Sequence, residues 1–224
     1  MTRENVKTQT ISPSEAILLV IASFFLLLFG AAFVDWIGYG ITMMLGELLL
    51  IVLPLGYMLL KTIDVKSYIG LQVNSRRILL GVIIGILLLF FEVIVNGVLV
   101  SAFGESEAVR QSNQIIAEMS RSAEGLIMVI ATLVLAGICE EFTFRGFLQT
   151  AMNSKYPAWV ALVTSSLVFG LFHFDPQAVY TLSAFSLGLV LGYVYHHWHS
   201  YTVSATAHVT LNLIVFALIT LMPP

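Results

Sequence analysis

Three ionisable side chains interrupt an apolar stretch in the second half of the chain. Glu140 and Glu141 are adjacent in the segment GICEEFTFRGF, and Arg145 follows in the same segment. A charge at the centre of a bilayer costs about 2.5–3.5 kcal/mol on insertion scales, so such residues usually face a cavity and serve a function. Glu141 and Arg145 are four residues apart, and we expect them to pair on one helix face. Glu140 points about 100° away from Glu141 and has no partner on its own helix.

Two later apolar segments also carry polar side chains. His173 ends the segment SSLVFGLFHF, while His208 and Asn212 lie four residues apart in TVSATAHVTLNLIVF and project from one helix face. Each feature alone has a structural interpretation. A histidine at a helix end is often an interfacial residue, and an intramembrane histidine or asparagine can hydrogen-bond a neighbouring helix.

The combination points to hydrolysis. A common polar cavity would satisfy Glu140, His173, His208 and Asn212, which are each costly to bury separately. A glutamate and a histidine can orient and deprotonate a water molecule. Histidine and asparagine donors can stabilise the oxyanion that forms when water attacks an amide carbonyl.

Other mechanisms remain open at this point. Cys139 precedes Glu140 and could be a protease nucleophile, although adjacent helical residues point in different directions and a small apolar role fits it equally. Alternatively, Glu47, Glu92, Glu140 and Glu141 could form a proton relay in a transporter. The absence of paired inverted halves argues against the transporter. A non-enzymatic immunity protein that binds a peptide toxin is a further alternative.

The composition predicts the elements that must position these residues. Of 224 residues, 58% are hydrophobic and only 10% are charged, and the mean hydropathy is +0.95, well outside the range of soluble domains. We predict an all-α polytopic membrane protein, a bundle of about seven to eight transmembrane helices. The seven apolar stretches cover about 16–34, 41–60, 77–103, 125–151, 157–173, 177–197 and 202–222.

Helix packing and depth can also be read from these stretches. GxxxG pairs at Gly81/Gly85 and Gly188/Gly192 predict close helix contacts. Counted at 1.5 Å per residue from the expected membrane interface, His173 lies about 24 Å deep, Glu140 about 16 Å and His208 about 9 Å. A shared site therefore requires tilted helices, a helix break near Gly170 or different helix ends.

Loop charges predict the orientation. The N-terminus and two loops carry most of the basic residues, and the opposite side holds only Arg110 and Arg121. The N-terminus should therefore be cytoplasmic. The basic residues on the predicted cytoplasmic side are Arg3, Lys7, Lys61, Lys66, Arg76, Arg77 and Lys155.

The chain shows no linker, so we predict a single transmembrane domain over 1–224 with a catalytic core over 125–215. The net charge of −3 is small and diffuse, which argues against a nucleic-acid partner. The single cysteine excludes an intrachain disulfide framework.

Three short motifs resemble those of a known family. EEFTFR resembles the EExxxR motif of the CPBP intramembrane proteases, the group that contains Rce1-type CAAX prenyl proteases and the bacterial Abi proteins. FGLFH, from Phe169 to His173, resembles the second motif, FxxxH. HVTLN, from His208 to Asn212, resembles the third, HxxxN. The resemblance covers about residues 125–215.

The resemblance implies a role for each motif residue. Glu140 would activate water with help from His173, and His208 and Asn212 would form the oxyanion hole. The substrate would be a membrane-associated peptide or a lipidated protein in the bilayer, for which prenylated CAAX tails are one example. The residues implied to support the site are Glu141, Arg145 and Phe169.

The same residues also raise the question of whether the site binds a metal ion. Glu140, His173 and His208 could form a three-ligand zinc site with one open position. The resemblance favours a glutamate-activated water without a metal, and no His-x-x-x-His pair lies on one helix. The segment HHWHS, residues 196–200, could also bind a metal, although a loop at headgroup level is its more ordinary interpretation.

Overall fold

A computed structural model describes residues 10–221 of the chain. This part of the chain is all-helical, with short connections and no β-strand between residues 10 and 221. The predicted ends of the single domain, and Arg3 and Lys7 with them, lie outside the described residues. The helices are α1 (Pro13–Ala31), α2 (Val34–Ile37), α3 (Tyr39–Leu60), α4 (Val65–Tyr68), α5 (Ser75–Phe103), α6 (Glu107–Met119), α7 (Ala123–Glu140), α8 (Thr150–Asn153), α9 (Ala158–Phe172), α10 (Val179–Trp198) and α11 (Tyr201–Leu221).

The predicted fold class is confirmed, and the helix count is refined. Within residues 10–221, six helices are long and apolar enough to cross a membrane. Five of these are α1, α3, α5, α10 and α11, and the sixth is the continuous helix Ala123–Asn153 that α7 begins and α8 ends. The remaining predicted stretch, 157–173, corresponds to α9, which is apolar but has only 15 residues.

Side-chain caps determine where several spanning helices begin. Ser12 and Glu15 form a capping box at the start of α1, with each side chain bonded to the other residue's backbone N–H. The Asn74 side chain accepts a hydrogen bond from the backbone N–H of Arg77 at the start of α5. Such caps satisfy backbone donors that the first helical turn leaves unpaired.

Close contacts at the GxxxG positions confirm that prediction. A methyl group added at Gly85 of α5 would lie 2.6 Å from the carbonyl oxygen of Ala207 in α11. One added at Gly188 of α10 would lie 3.1 Å from Cβ of Ser166 in α9. Small residues therefore hold α5 against α11 and α10 against α9.

A π-helical segment, Glu141–Gln149, joins α7 to α8. All nine of its residues are buried. The Arg145 guanidinium donates to the Gly188 carbonyl (3.3 Å), and the Gln149 amide donates to the Gly192 carbonyl (2.9 Å). These bonds tie the segment to α10. Short π-helical insertions of this kind occur frequently at functional sites.

The start of α11 lies inside the protein rather than at its edge. Residues 200–205 are all buried, and the Tyr201 hydroxyl donates to the Ile138 carbonyl of α7 (2.8 Å).

Candidate functional site

Three predicted catalytic side chains converge from three elements. Glu140 ends α7, His173 follows the last residue of α9, and His208 lies in the second turn of α11. Glu140 Oε1 lies 3.7 Å from His173 Nε2, and Glu140 Oε2 lies 3.7 Å from His208 Nε2. The side chains are 13%, 17% and 5% exposed, respectively. The Glu140 carboxylate thus lies between two imidazoles and remains reachable by a small molecule.

A buried ion pair orients His208. Arg145 Nη1 lies 2.9 Å from Glu141 Oε1, which confirms the predicted pairing, and both side chains are fully buried. His208 Nδ1 lies 3.2 Å from the same Glu141 oxygen. An ionised carboxylate only accepts hydrogen bonds, so Nδ1 carries a proton and donates it. This contact fixes the ring and turns Nε2 toward Glu140.

A backbone carbonyl orients His173 in a similar way. His173 Nδ1 lies 2.8 Å from the Phe169 carbonyl oxygen, which can only accept, so Nδ1 is the donor. In the neutral ring Nε2 is then an acceptor, and it faces Glu140. The Phe169 ring contacts His173 at 4.6 Å between centroids and lies 4.4 Å from the Arg145 guanidinium. Phe169 therefore packs between groups of the site.

The loop after His173 contributes residues that the sequence motifs did not reveal. Asp175 is buried and accepts a hydrogen bond from the backbone N–H of Tyr180 (3.0 Å). The Asp175 N–H donates to Thr181 Oγ1 (2.9 Å), and the Thr181 hydroxyl donates to the His173 carbonyl (3.0 Å). The Asp-Pro pair in FDPQ is a turn signal that could have identified this loop. It holds His173 at the end of α9.

The Asn212 side chain makes no hydrogen bond to Glu140, His173 or His208. Its Nδ2 donates to the Leu133 carbonyl of α7 (3.3 Å), and Leu133 lies about two helical turns before Glu140. Asn212 is one turn beyond His208 on α11. In this structure its amide connects α11 to α7.

The other intramembrane carboxylates lie on helices that surround the site. Glu92 Oε2 accepts hydrogen bonds from Ser183 of α10 (2.8 Å) and from Asn96 (3.1 Å). Glu47 of α3 is close enough to Glu140 to interact with it electrostatically. Cys139 is only 1% exposed, so its thiol is not accessible as a nucleophile in this conformation.

The donor set does not have the spacing of a metal site. Between residues 10 and 221 no group of three or more histidine, cysteine or acidic side chains is arranged to hold a metal ion, and this includes the segment HHWHS.

The fold and site define a class: polytopic membrane proteins with a glutamate–histidine site enclosed by their helices. Residues 122–214 match the family model of the type II CAAX prenyl endopeptidase Rce1-like proteins. This region is therefore an Rce1-like domain of a protease family, and the match confirms the resemblance carried by the three motifs. No curated protein and no solved structure matches the chain.

Proposed function

We propose that the chain is an intramembrane endopeptidase that hydrolyses a peptide bond in a membrane-associated peptide or lipidated protein. The observation that carries this proposal is the Glu140 carboxylate, which lies 3.7 Å from Nε2 of both His173 and His208 in a largely buried site. The Rce1-like match supports a peptidase and favours a prenylated C-terminal segment as one class of substrate.

Glu140 and His173 would activate the attacking water. The 3.7 Å separation of Glu140 Oε1 and His173 Nε2 is longer than a direct hydrogen bond. It suits a water that donates one hydrogen to each acceptor. The water oxygen attacks the carbonyl carbon of the substrate as Glu140 takes its proton. His173 Nε2 accepts the second hydrogen bond because the Nδ1 proton is engaged by the Phe169 carbonyl.

His208 would stabilise the negative charge on the former carbonyl oxygen. With Nδ1 directed at Glu141, Nε2 donates a hydrogen bond when the ring carries both protons. The carbon–nitrogen bond then breaks, and the proton held by Glu140 passes to the leaving nitrogen. The products are a new carboxyl group and a new amine, so the reaction consumes one water and needs no further reactant.

Replacement of the glutamate tests the proposal. The assay uses a quenched fluorescent peptide with a farnesylated cysteine near its C-terminus, incubated with the purified full chain in liposomes. Glu140→Gln keeps the size of the side chain but removes the base, so we expect kcat to fall by about 100–10,000-fold. Glu118→Gln makes the same change at an exposed position of α6 and should leave the rate unchanged.

His208→Ala is the companion variant and should lower kcat by about 100–1000-fold. If Glu140→Gln and His208→Ala both fold normally and cleave at the wild-type rate, the proposed function is wrong. Absence of cleavage by the wild-type chain would count against a prenylated substrate. The assay would then be repeated with membrane peptides that accumulate in cells expressing Glu140→Gln.

We also propose that the end of the bundle with the 61–74 loop, Lys155 and His199 faces the cytoplasm. Ser67, Tyr156 and His199 line one cleft, so the segments that carry them lie at the same end of the molecule. This end carries most of the basic loop residues, as cytoplasmic ends do. Arg110 lies in α6 and Arg121 in its connection to α7, at the other end.

A further inference from the structure

We propose that Tyr180 donates a hydrogen bond to the oxyanion and is therefore a catalytic residue of the site. This inference rests on the proposed peptidase function. Neither the three motifs nor the family description assigns a role to this tyrosine.

The first observation is the position of the ring. Tyr180 lies in the first turn of α10, and its ring meets the His173 ring edge to face at 5.1 Å between centroids. His173 Nε2 is in turn 3.7 Å from Glu140. Tyr180 is also close enough to Glu140 to interact with it electrostatically. The phenol is therefore a neighbour of the atoms that would hold the attacking water.

The second observation is that the hydroxyl is free. Among residues 10–221 no partner hydrogen-bonds to the Tyr180 hydroxyl, and the side chain is 41% exposed. The hydroxyls of two other tyrosines near the core are hydrogen-bonded: that of Tyr195 to the Thr150 hydroxyl at 2.7 Å, and that of Tyr201 to the Ile138 carbonyl at 2.8 Å. A phenol O–H is a hydrogen-bond donor and is among the groups that serve in oxyanion holes.

The third observation is that the backbone holds the ring in place. Asp175 accepts the Tyr180 N–H at 3.0 Å, and the neighbouring Thr181 hydroxyl is bonded to the His173 carbonyl at 3.0 Å. Ala178 has a left-handed backbone conformation with φ of 62°, which turns the chain sharply into α10. The loop thus fixes Tyr180 and His173 relative to each other before a substrate binds, as preorganised catalysis requires.

The hydrogen bond that Asn212 makes leaves room for a second oxyanion donor beside His208. The resemblance assigns the oxyanion hole to His208 and Asn212, yet the Asn212 amide donates to the Leu133 carbonyl. Leu133 lies about two helical turns before Glu140 on α7. Tyr180 enters from α10 and can therefore complete the set of donors with His208.

The test is Tyr180→Phe in the full chain, assayed with the same farnesylated peptide in liposomes. This change removes only the hydroxyl and keeps the ring against His173. We expect kcat to fall by about 100–1000-fold, with KM within about threefold of wild type because the donor acts in the transition state. Tyr193→Phe is the matched control on the same helix; its ring is exposed, stacks on His197 and should tolerate the change.

Two further variants keep the inference falsifiable. Incorporation of 3-fluorotyrosine at position 180 retains the hydroxyl and should keep kcat within about tenfold of wild type; a loss as large as that of Tyr180→Phe would overturn the role of the O–H. Asn212→Ala should reduce kcat less than Tyr180→Phe does. A larger loss of kcat in Asn212→Ala than in Tyr180→Phe would show that Asn212, and not Tyr180, is the second oxyanion donor.

The outcomes also separate this inference from the proposed function. If Tyr180→Phe cleaves at the wild-type rate while Glu140→Gln is inactive, Tyr180 is not a donor and the peptidase function stands. If Glu140→Gln is fully active as well, the proposed function itself is wrong.

Discussion

At the scale of single residues, the site depends on which atoms of the imidazoles face Glu140. The motifs predicted that Glu140, His173, His208 and Asn212 share a site, because each is costly to bury separately. They could not predict the orientation of the rings. That orientation comes from the Glu141 carboxylate and the Phe169 carbonyl, which bind the two Nδ1 atoms. Such contacts form only after folding, so spacing in the sequence does not reveal them.

The buried ion pair gives a prediction about stability and catalysis together. Glu141→Gln leaves the Arg145 charge without its partner in a fully buried position. Removing one member of a buried pair typically costs about 3–5 kcal/mol, so we expect a clearly lower melting temperature in detergent. The His208 ring also loses its charged acceptor, so kcat should fall further than the loss of folded protein explains.

The matched control is the exposed pair on α6. Arg110 lies 2.6 Å from Glu107, with side chains 50% and 48% exposed. Exposed pairs contribute little because solvent screens them, so Glu107→Gln should leave both melting temperature and kcat unchanged. An unchanged melting temperature in Glu141→Gln would show that the pair does not support the fold.

At the scale of elements, hydropathy predicted the helices well and their irregularities poorly. The apolar stretch 125–151 corresponds to a continuous helix, but its π-helical segment Glu141–Gln149 was not foreseen. That segment is stabilised by bonds from Arg145 and Gln149 to carbonyls of α10, which are 43 residues away in the sequence. The buried start of α11 was missed for the same reason, since it depends on the elements around it.

The packing of α5 against α11 gives a prediction at this scale. A side chain at Gly85 would meet the Ala207 carbonyl at 2.6 Å, next to His208. Gly85→Ala should therefore force α11 away from α5, destabilise the protein by about 1–3 kcal/mol and lower kcat. Thermal unfolding and the peptide assay measure both effects.

Gly97→Ala provides the control on the same helix. A methyl group there meets nothing within 4 Å, and alanine is the better helix former by about 0.5–1 kcal/mol. We expect equal or higher stability and normal activity. A Gly85→Ala variant as stable and as active as Gly97→Ala would show that this contact does not position His208.

At the scale of the whole molecule, all residues of the candidate site belong to the region 122–214 that matches the family model. The N-terminal part of the chain packs around it: Ile11 and two residues of α1, Ala16 and Val20, share a buried cluster with Phe142 and Phe144 of the π-helical segment. The sequence predicted these helices only as spanning segments. In a membrane, the residues of a helix that face lipid and those that face protein are both apolar, so composition does not reveal which helices pack around the site.

The orientation in the membrane is the prediction that belongs to this scale. Cys139→Ala removes the only cysteine, and because that thiol is buried we expect the variant to keep its peptidase activity. Single cysteines are then placed at Lys155 and at Arg121, two exposed positions at opposite ends of the bundle. In right-side-out membrane vesicles, a membrane-impermeant maleimide should label Arg121→Cys directly and Lys155→Cys only after permeabilisation, because basic loops remain cytoplasmic. Labelling of Lys155→Cys in sealed vesicles, with protection of Arg121→Cys, would reverse the orientation and place the 61–74 loop outside the cell.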